Sequence, residues 1–469
     1  MLIPLMLSHD QPLQQQLYEQ LYALIATARL KPGSRLPSTR VLAEQFSVSR
    51  TTVLLAYERL IAEGFIETLP ARGTFVAAAR PASGESRRAV PGTNSGPSSS
   101  PAAKTRIGRP DASLFPAGRW RALIRAALDH LGAQVGTEQP AGESRLHGAV
   151  ADWLSASRGL AVSPDQIVLM ASRQQALHMA AHLVLRPGSR VVVEDPCDAE
   201  ATGTFGSESA ELLRIPVDEH GLRVDCLPDG PIDLVHVTPE HQRPLGVALS
   251  SDRRTALLAW AERTGATILE DDCEGELRYG GPKVPSLMGQ DKTGNAIMLG
   301  GFATSLGPWL GLAYLVLPRR LIAGAVTVRR LIDDTRGSLE EAALAEFLGS
   351  AGYARHLHQL GKIYLVRRDA LLAALQRHFG STSLVWGAQA GLHLSWFPPD
   401  SLGGPACLLP LALRCGLDAA ALPPDAPDGL TNRVMLLGFG SVSEQQIDMR
   451  MAHFAALADP GHASRILAS

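Results

Sequence analysis

A short run of hydroxyl side chains and one arginine begins at residue 49. Its order is Ser49, Arg50, Thr51 and Thr52. An arginine can hold a guanine edge with two hydrogen bonds, whereas hydroxyls and the free N–H groups of a helix N-terminus suit phosphates. If a helix begins here, these residue types fit the recognition of double-stranded DNA, with Arg50 as the candidate for reading a base.

Similar residues occur before and after this run. Ser38, Thr39 and Arg40 open the preceding predicted helix with two hydroxyls and one cation. Arg72 and Gly73 stand at a predicted turn between two short strands, where an arginine can enter the minor groove. DNA contacts are therefore expected from three neighbouring places in the chain.

The elements that must position these residues can be read from apolar spacing and caps. Leucines recur at helical spacing from Leu13, a second helix is predicted from Ser38, and Ser49 is a suitable N-cap for a third that Gly64 closes. Two short strands, residues 65–68 and 73–76, follow. Three helices and a hairpin predict a winged helix-turn-helix domain over residues 1–76.

Composition limits the remaining classes. The chain has 469 residues, of which 45% are hydrophobic and 19% are charged, and its net charge is −2. These values are typical of a folded globular protein. The sequence has no run long enough to span a membrane and no signal peptide, so we expect a cytoplasmic protein without membrane contact. The five cysteines form no CxxC pair, and reduced thiols are expected.

Residues 77–105 are rich in Ala, Gly, Pro and Ser and predict a flexible linker. Beyond it, apolar strand-like runs alternate with helical segments, which is typical of an α/β domain with a mostly parallel sheet. The runs are residues 166–170, 190–193, 234–237, 266–269 and 296–299. The second domain is predicted to span residues 106–469, with a small α+β lobe from about residue 355 that begins with a long helix, residues 353–379.

The stretch from Leu30 to Val76 resembles the GntR family of DNA-binding regulators over nearly its whole length. The resemblance places Arg40, Arg50 and Gly73 at positions that the family uses for DNA, with Arg35, Ser38 and Thr39 beside them. The candidate DNA-binding residues are Arg35, Ser38, Thr39, Arg40, Ser49, Arg50, Thr51, Thr52, Arg72 and Gly73.

From about Arg109 to Leu457 the chain is similar to the MocR group, in which a GntR head is joined to a body with the fold of type I aminotransferases. Residues 110–116, 138–142, 174–177, 193–196, 270–272 and 437–439 carry this resemblance. It implies a head-to-tail homodimer that binds operator DNA. It also implies a pocket for pyridoxal phosphate, held as a Schiff base by one lysine.

This sequence departs from the family at that pocket. Thr304 stands in the place of the lysine, and a hydroxyl cannot form an imine. Gly301 and Gly311 replace a serine and an arginine that would hold the phosphate. Cys273 replaces a tyrosine. A covalently bound cofactor is therefore not expected, and noncovalent binding of pyridoxal phosphate stays open as an alternative.

Other pocket residues are retained or new. Asp271 matches the carboxylate that would pair with the pyridine nitrogen, and the resemblance places Arg433 where the substrate-carboxylate arginine lies. Arg173, beside Gln174, adds a cation at the predicted helix start. The candidate effector pocket comprises Arg173, Gln174, Asp271, Cys273, Thr304 and Arg433. We predict no catalytic residue and no metal site, because His178 and His182 lack a further ligand at suitable spacing.

The leading hypothesis is a dimeric DNA-binding regulator whose body serves for dimerisation and for an effector other than covalent pyridoxal phosphate, such as another small anion. Two alternatives remain: a regulator that senses noncovalently bound pyridoxal phosphate, and an active aminotransferase with a DNA-binding head. Thr304 argues against the last of these.

Overall fold

The structure is a computed structural model that describes residues 13–26, 30, 33–46, 48–62, 66–69, 73–76, 107–131, 141–280, 285–332, 338–380, 383–423 and 425–458. Its contacts divide the chain between residues 100 and 101 into two compact units, which we call the head and the body. The predicted linker, residues 77–105, lies outside the described residues. Within the described ranges, no helix is long and apolar enough to cross a membrane.

The head contains three helices and a hairpin, in the predicted order. They are α1 (Leu13–Ala26), α2 (Thr39–Phe46), α3 (Arg50–Ala62), β1 (Ile66–Leu69) and β2 (Gly73–Val76). The two strands pair antiparallel, with Ile66 opposite Val76. This arrangement confirms the prediction of a winged helix-turn-helix.

Apolar residues at helical spacing form the core of the head. Leu17 and Leu21 of α1 are fully buried with Val53 and Leu60 of α3 and with Leu42 of α2. Burial of one such side chain typically contributes about 1.5–3 kcal/mol. The core therefore fixes α3 against the other two helices and leaves its opposite face exposed.

The body contains a large sheet of eight strands. They are β3 (Ile167–Met170), β4 (Arg190–Asp195), β5 (Glu211–Asp218), β6 (Gly221–Leu222), β7 (Leu234–Val237), β8 (Thr267–Asp271), β9 (Ala296–Gly301) and β10 (Ala313–Val316). Their order across the sheet is β3-β10-β9-β8-β7-β4-β5-β6. The pairs from β9 to β5 are parallel, whereas β10 is antiparallel to both of its neighbours and β6 is antiparallel to β5.

Helices cover both faces of this sheet, as an apolar parallel sheet requires. Val191 and Val193 of β4 belong to one core cluster, and Val192 between them belongs to another. The helices are α4 (Ala117–Leu131), α5 (Ala141–Arg158), α6 (Arg173–Val184), α7 (Ala199–Ser207), α8 (Ser251–Thr264), α9 (Leu287–Gln290), α10 (Ala303–Leu306), α11 (Arg319–Ile332) and α12 (Ser338–Gly349). The predicted α/β fold with a mainly parallel sheet is confirmed.

The small lobe follows α12. Its elements are α13 (Gly352–Phe379), β11 (Leu384–Trp386), β12 (His393–Phe397), α14 (Gly404–Arg414), β13 (Asp418–Ala421), α15 (Asp428–Thr431), β14 (Met435–Gly438) and α16 (Glu444–Ala458). The four strands form an antiparallel sheet in the order β11-β12-β14-β13. Trp396, Phe439 and Phe454 are fully buried in the core of this lobe.

The carboxyl ends of β4, β7 and β8 meet at one edge of the large sheet, which is the usual place for a ligand in an open α/β sheet. The strand that ends in Asp271 is longer than predicted, because β8 continues two residues beyond residue 269. Asp271 therefore lies at the last position of a buried strand and not in a loop.

Candidate functional site

The start of α3 is organised by Ser49, as its cap position predicted. The Ser49 hydroxyl accepts a hydrogen bond from the Thr52 amide at 3.0 Å and lies 2.7 Å from the Thr52 hydroxyl. Arg50 and Thr51 are exposed at the first turn of the helix. Of the four predicted residues, Ser49 and Thr52 thus fix the helix start, while Arg50 and Thr51 are presented to solvent.

The start of α2 lies beside the start of α3. The Arg50 side chain donates a hydrogen bond to the Thr39 hydroxyl at 3.4 Å, which joins the two helix starts. The Ser38 hydroxyl accepts from the Val41 amide. Arg40 is exposed and forms an ion pair with Glu44 at 3.0 Å. Because this pair is exposed, it holds Arg40 only weakly and leaves its guanidinium accessible.

The hairpin brings Arg35 to Gly73. The backbone of Arg35, which precedes α2, forms an isolated antiparallel β-bridge with Phe75 of β2. Gly73 has φ of +110°, and a Cβ there would lie 3.1 Å from the Arg35 side chain, so a glycine is required at this position. Arg72 lies outside the described residues. The structure thus groups Arg35 and Gly73 at the hairpin, and Thr39 and Arg50 at the helix starts.

Tyr57 ties α3 to the segment before α2. Its side chain is 2% exposed, and its hydroxyl donates a hydrogen bond to the Pro37 carbonyl at 2.9 Å. Replacing Tyr57 with Phe should lower the stability of the head by about 1 kcal/mol, because one buried hydrogen bond is lost. Hydrogen exchange of the full chain, followed by mass spectrometry, should show protection of α3 falling by a factor of about five. Peptides from the body serve as the internal control, and unchanged exchange in α3 would contradict the assignment.

In the body, Arg173 forms the centre of a buried ion-pair cluster. Ser172 caps α6, so that Arg173 is the first residue of the helix. Its guanidinium lies 2.5 Å from the Asp271 carboxylate, 2.7 Å from Asp198 and 3.5 Å from Glu200. The Arg173 side chain is 13% exposed and that of Asp271 is 1% exposed. Charge-assisted bonds in such surroundings are strong, and breaking them leaves an uncompensated charge.

Asp271 is ionised despite its burial. Burial alone would raise the pKa of this carboxyl, but Arg173 and the buried His236, which lies 3.5 Å away, outweigh it and hold the pKa well below its usual range. Asp198 behaves similarly: Arg173 and Arg243 lower its pKa against the effect of burial.

The stability of the body should depend on this ionisation. Because folding lowers the pKa of Asp271, its contribution to stability is fully present above the unfolded pKa of about 3.9 and is lost progressively as the pH falls below that value towards the lower pKa of the folded state. The difference in unfolding free energy between the native chain and D271N should be largest at neutral pH and shrink below about pH 4. The exposed Asp129 provides a control, since D129N removes a surface carboxylate and should change the free energy of unfolding by less than about 0.5 kcal/mol at neutral pH. A difference that is constant with pH would contradict the ion pair.

Thr304 is connected to Asp271 through the backbone of Cys273. Its hydroxyl donates a hydrogen bond to the Cys273 carbonyl at 3.0 Å, and the Cys273 amide donates to Asp271 at 3.4 Å. Gly311 has φ of +55°, and a Cβ there would lie 3.0 Å from the Ala171 carbonyl. A longer side chain at residue 311 would therefore require the backbone to shift.

Of the two remaining predicted pocket residues, Gln174 lies beside Arg173 and Arg433 lies at the surface. Gln174 donates a hydrogen bond to the Thr204 hydroxyl at 2.6 Å and so joins α6 to α7 beside Arg173. Arg433 is exposed in the turn before β14 and does not line the adjoining cavity. Leu436, inside β14, lines it instead. The predicted placement of Arg433 in the pocket is thus corrected, because Arg433 is exposed in the turn that precedes the strand.

A cavity of about 420 Å³ lies between the large sheet and the small lobe. Its polar wall includes Asp198, Glu200, Arg243, Glu274 and His393. Arg243 donates a hydrogen bond to Glu274 at 2.5 Å. Sequence reasoning missed Arg243, Glu274 and His393, because they come from three distant segments. The position of Glu274, just after the strand that carries Asp271, was the one available signal.

The charges around the cavity are unequal. Arg173 and Arg243 are ion-paired to the four carboxylates of Asp198, Glu200, Asp271 and Glu274. Among the described residues, carboxylates thus outnumber arginines in this cluster, in which Asp198, Glu200, Arg243 and Glu274 line the cavity and Arg173 and Asp271 lie behind them. Such surroundings favour a cation over an anion.

Comparison with known proteins agrees with both parts of the fold. Residues 13–76 match the family described as bacterial regulatory proteins, gntR family. The chain is 32% identical over 456 residues to the uncharacterized HTH-type transcriptional regulator YhdI of Bacillus subtilis (strain 168), covering 93% of this chain and 95% of that protein. It is 33% identical over 405 residues to the probable rhizopine catabolism regulatory protein MocR of Rhizobium meliloti, covering 82% and 81%.

The body also resembles solved aminotransferase structures. The Pyrococcus horikoshii kynurenine aminotransferase superposes with a TM-score of 0.67 at 24% identity, covering 75% of this chain and 89% of that chain. This likeness concerns the fold. The helix-turn-helix head, the full-length regulator relatives and the aminotransferase-like body together show that the chain belongs to the GntR family of DNA-binding transcription regulators, in its MocR group.

Proposed function

We propose that the chain is a dimeric transcription regulator whose body binds no covalent pyridoxal phosphate and responds instead to a different ligand in the cavity beside Arg173. The observation that carries this proposal is the Arg173 guanidinium on the Asp271 carboxylate, at 2.5 Å. By the family resemblance, the Asp271 carboxylate is the group that would pair with the pyridine nitrogen of pyridoxal phosphate.

The described residues do not fit pyridoxal phosphate. Asp271 already has the Arg173 guanidinium as its partner at 2.5 Å, so a pyridine nitrogen could pair with this carboxylate only if Arg173 moved away from it. Thr304 offers a hydroxyl that cannot form an imine and that is hydrogen-bonded to a backbone carbonyl. Gly311 offers no cation for a phosphate. Within the described residues, no lysine lines the cavity.

It follows that we expect no transamination. The chemistry of this fold depends on a lysine amine that exchanges with the amino group of the substrate. A threonine at residue 304 removes that step entirely, so we expect activity to be absent and not merely slow.

Dimerisation gives the head its specificity. A single small head buries little surface on DNA. When two heads are joined to one dimeric body, binding of the first head to its half-site raises the effective concentration of the second head at the other half-site. An effector regulates such a protein only if it binds two arrangements of the dimer with different affinities. The cavity between the large sheet and the small lobe suits that role, since any relative movement of the two would change its walls.

A specific observation supports one alternative, a regulator that senses pyridoxal phosphate without a covalent bond. Asp271 is retained at the end of β8, where the family resemblance places the partner of the pyridine nitrogen. For this alternative, Arg173 would have to leave Asp271 when the ligand binds.

Selection of random-sequence duplexes by the full chain tests the regulator itself. We expect two copies of one half-site at fixed spacing, and light scattering should give the mass of a dimer. Pyridoxal phosphate should leave the affinity for the selected duplex unchanged. A change of about tenfold or more would favour the sensing alternative, and failure to enrich any sequence would contradict the proposed function.

A further inference from the structure

We propose that His241, Glu274 and His393 form a binding site for a divalent metal ion, with Zn²⁺ as the ion that they fit best. The three residues come from the loop after β7, the loop after β8 and the first position of β12. A bound ion would therefore connect the large sheet to the small lobe.

The distances between the three ligand atoms are close to those around a tetrahedral metal ion. His241 Nε2 lies 3.2 Å from His393 Nδ1 and 3.4 Å from Glu274 Oε2. All three ligand atoms lie within 4.8 Å of one another. Tetrahedral zinc with bonds of about 2.0–2.1 Å separates its ligand atoms by roughly 3.3 Å. Small side-chain movements would bring all three atoms onto one ion.

Hydrogen bonds from neighbouring groups orient two of these side chains, as they commonly orient the ligands in metal proteins. His393 Nε2 lies 2.8 Å from the Pro244 carbonyl, so it donates there and directs the lone pair of Nδ1 towards His241. Arg243 donates to Oε1 of Glu274 and leaves Oε2 facing the histidines. Among the described residues, Oε2 accepts no hydrogen bond.

The site is shielded from solvent. The His241 side chain is 0% exposed and His393 is 3% exposed. Zinc binds neutral imidazoles and an ionised carboxylate. Burial disfavours a charged imidazole, and the Arg243 guanidinium, which donates to Glu274 at 2.5 Å, favours the carboxylate form of Glu274.

The cavity adds a second argument. Glu274 and His393 also line the 420 Å³ cavity, so that a fourth coordination position would open into it. Three protein ligands with one open position are the arrangement of zinc sites that accept an exogenous ligand. The inference does not depend on whether pyridoxal phosphate binds.

Metal titration of the full chain tests this site. After treatment with a chelator and its removal, the chain should take up one Zn²⁺ per subunit in competition with a chromophoric chelator. Co²⁺ should give the visible absorption bands of a tetrahedral site. The exposed His453 provides a control, and H453N should bind as the native chain does.

Two variants distinguish metal binding from a folding defect. Both E274Q and R243Q break the Arg243–Glu274 ion pair, and R243Q also breaks the Arg243–Asp198 ion pair, so R243Q should destabilise the body at least as much as E274Q. E274Q should weaken Zn²⁺ binding by more than about tenfold, and H393N should do the same. R243Q should weaken Zn²⁺ binding less than E274Q does, because it keeps all three ligand atoms and loses only the arginine that orients Glu274. Absence of stoichiometric uptake, or uptake that E274Q and H393N leave unchanged, would mean that the histidines only hydrogen-bond to each other.

Discussion

Replacing Arg173 with methionine should lower the free energy of unfolding of the body by about 3–5 kcal/mol, the usual cost of removing one partner from a buried ion pair. Asp271, which is 1% exposed, would keep its charge without its closest cation, and Asp198 would lose a partner at 2.7 Å. All six tryptophans of the chain lie in the body, so their fluorescence in denaturant follows its unfolding.

Two further variants make this prediction specific. In the double variant R173M/D271N the buried charge is absent, so we expect part of the lost stability to return. R186M removes an exposed arginine just beyond the end of the same helix and should change stability by less than about 0.5 kcal/mol. A loss below about 1 kcal/mol for R173M would mean that Arg173 does not neutralise Asp271, and the main objection to pyridoxal phosphate would be removed.

Replacing Arg50 with alanine should weaken binding to the selected duplex by about 1–3 kcal/mol, a factor of about five to 150, if this residue reads a base. The prediction rests on its position: Arg50 is exposed at the first turn of α3, where its side chain reaches the Thr39 hydroxyl and no acidic partner holds it among the described residues.

A scrambled duplex separates base reading from phosphate contact. If Arg50 reads a base, affinity for the selected duplex should fall while affinity for the scrambled one changes little. If it contacts phosphate, both affinities should fall together, and the slope of binding against salt should decrease by about one. Equal binding by R50A and the native chain on both duplexes would mean that α3 does not lie in the groove as proposed.

Much of the fold could be predicted because local signals agree with it. Ser49 caps α3 as its position indicates, and apolar alternation between helices and strands predicts the parallel sheet. The antiparallel insertion of β10 between β3 and β9 could not be predicted, since an apolar run that is buried on both faces does not indicate strand direction. The extension of β8 to Asp271 was missed because acidic residues are rare in strands.

The candidate site could be predicted only in part. Arg173, Asp271 and Thr304 were found because each lies next to a recognisable motif, and the structure links the first two directly. Arg243, Glu274 and His393 carry no such signal, and only the packing of the small lobe against the sheet brings them together. Arg433 illustrates the opposite error: the resemblance places it in the pocket, but it lies in the exposed turn before β14, and Leu436 inside that strand lines the cavity.

The absorption spectrum of the purified full chain, with and without added pyridoxal phosphate and after dialysis, tests the central claim most directly. A T304K variant provides the matched comparison, because it restores an amine at the one position where the fold would form an imine. We predict that the native chain retains no chromophore after dialysis. A stoichiometric chromophore that resists dialysis in the native chain, or a band that shifts when an amino acid is added, would contradict the account and show that the body still binds the cofactor.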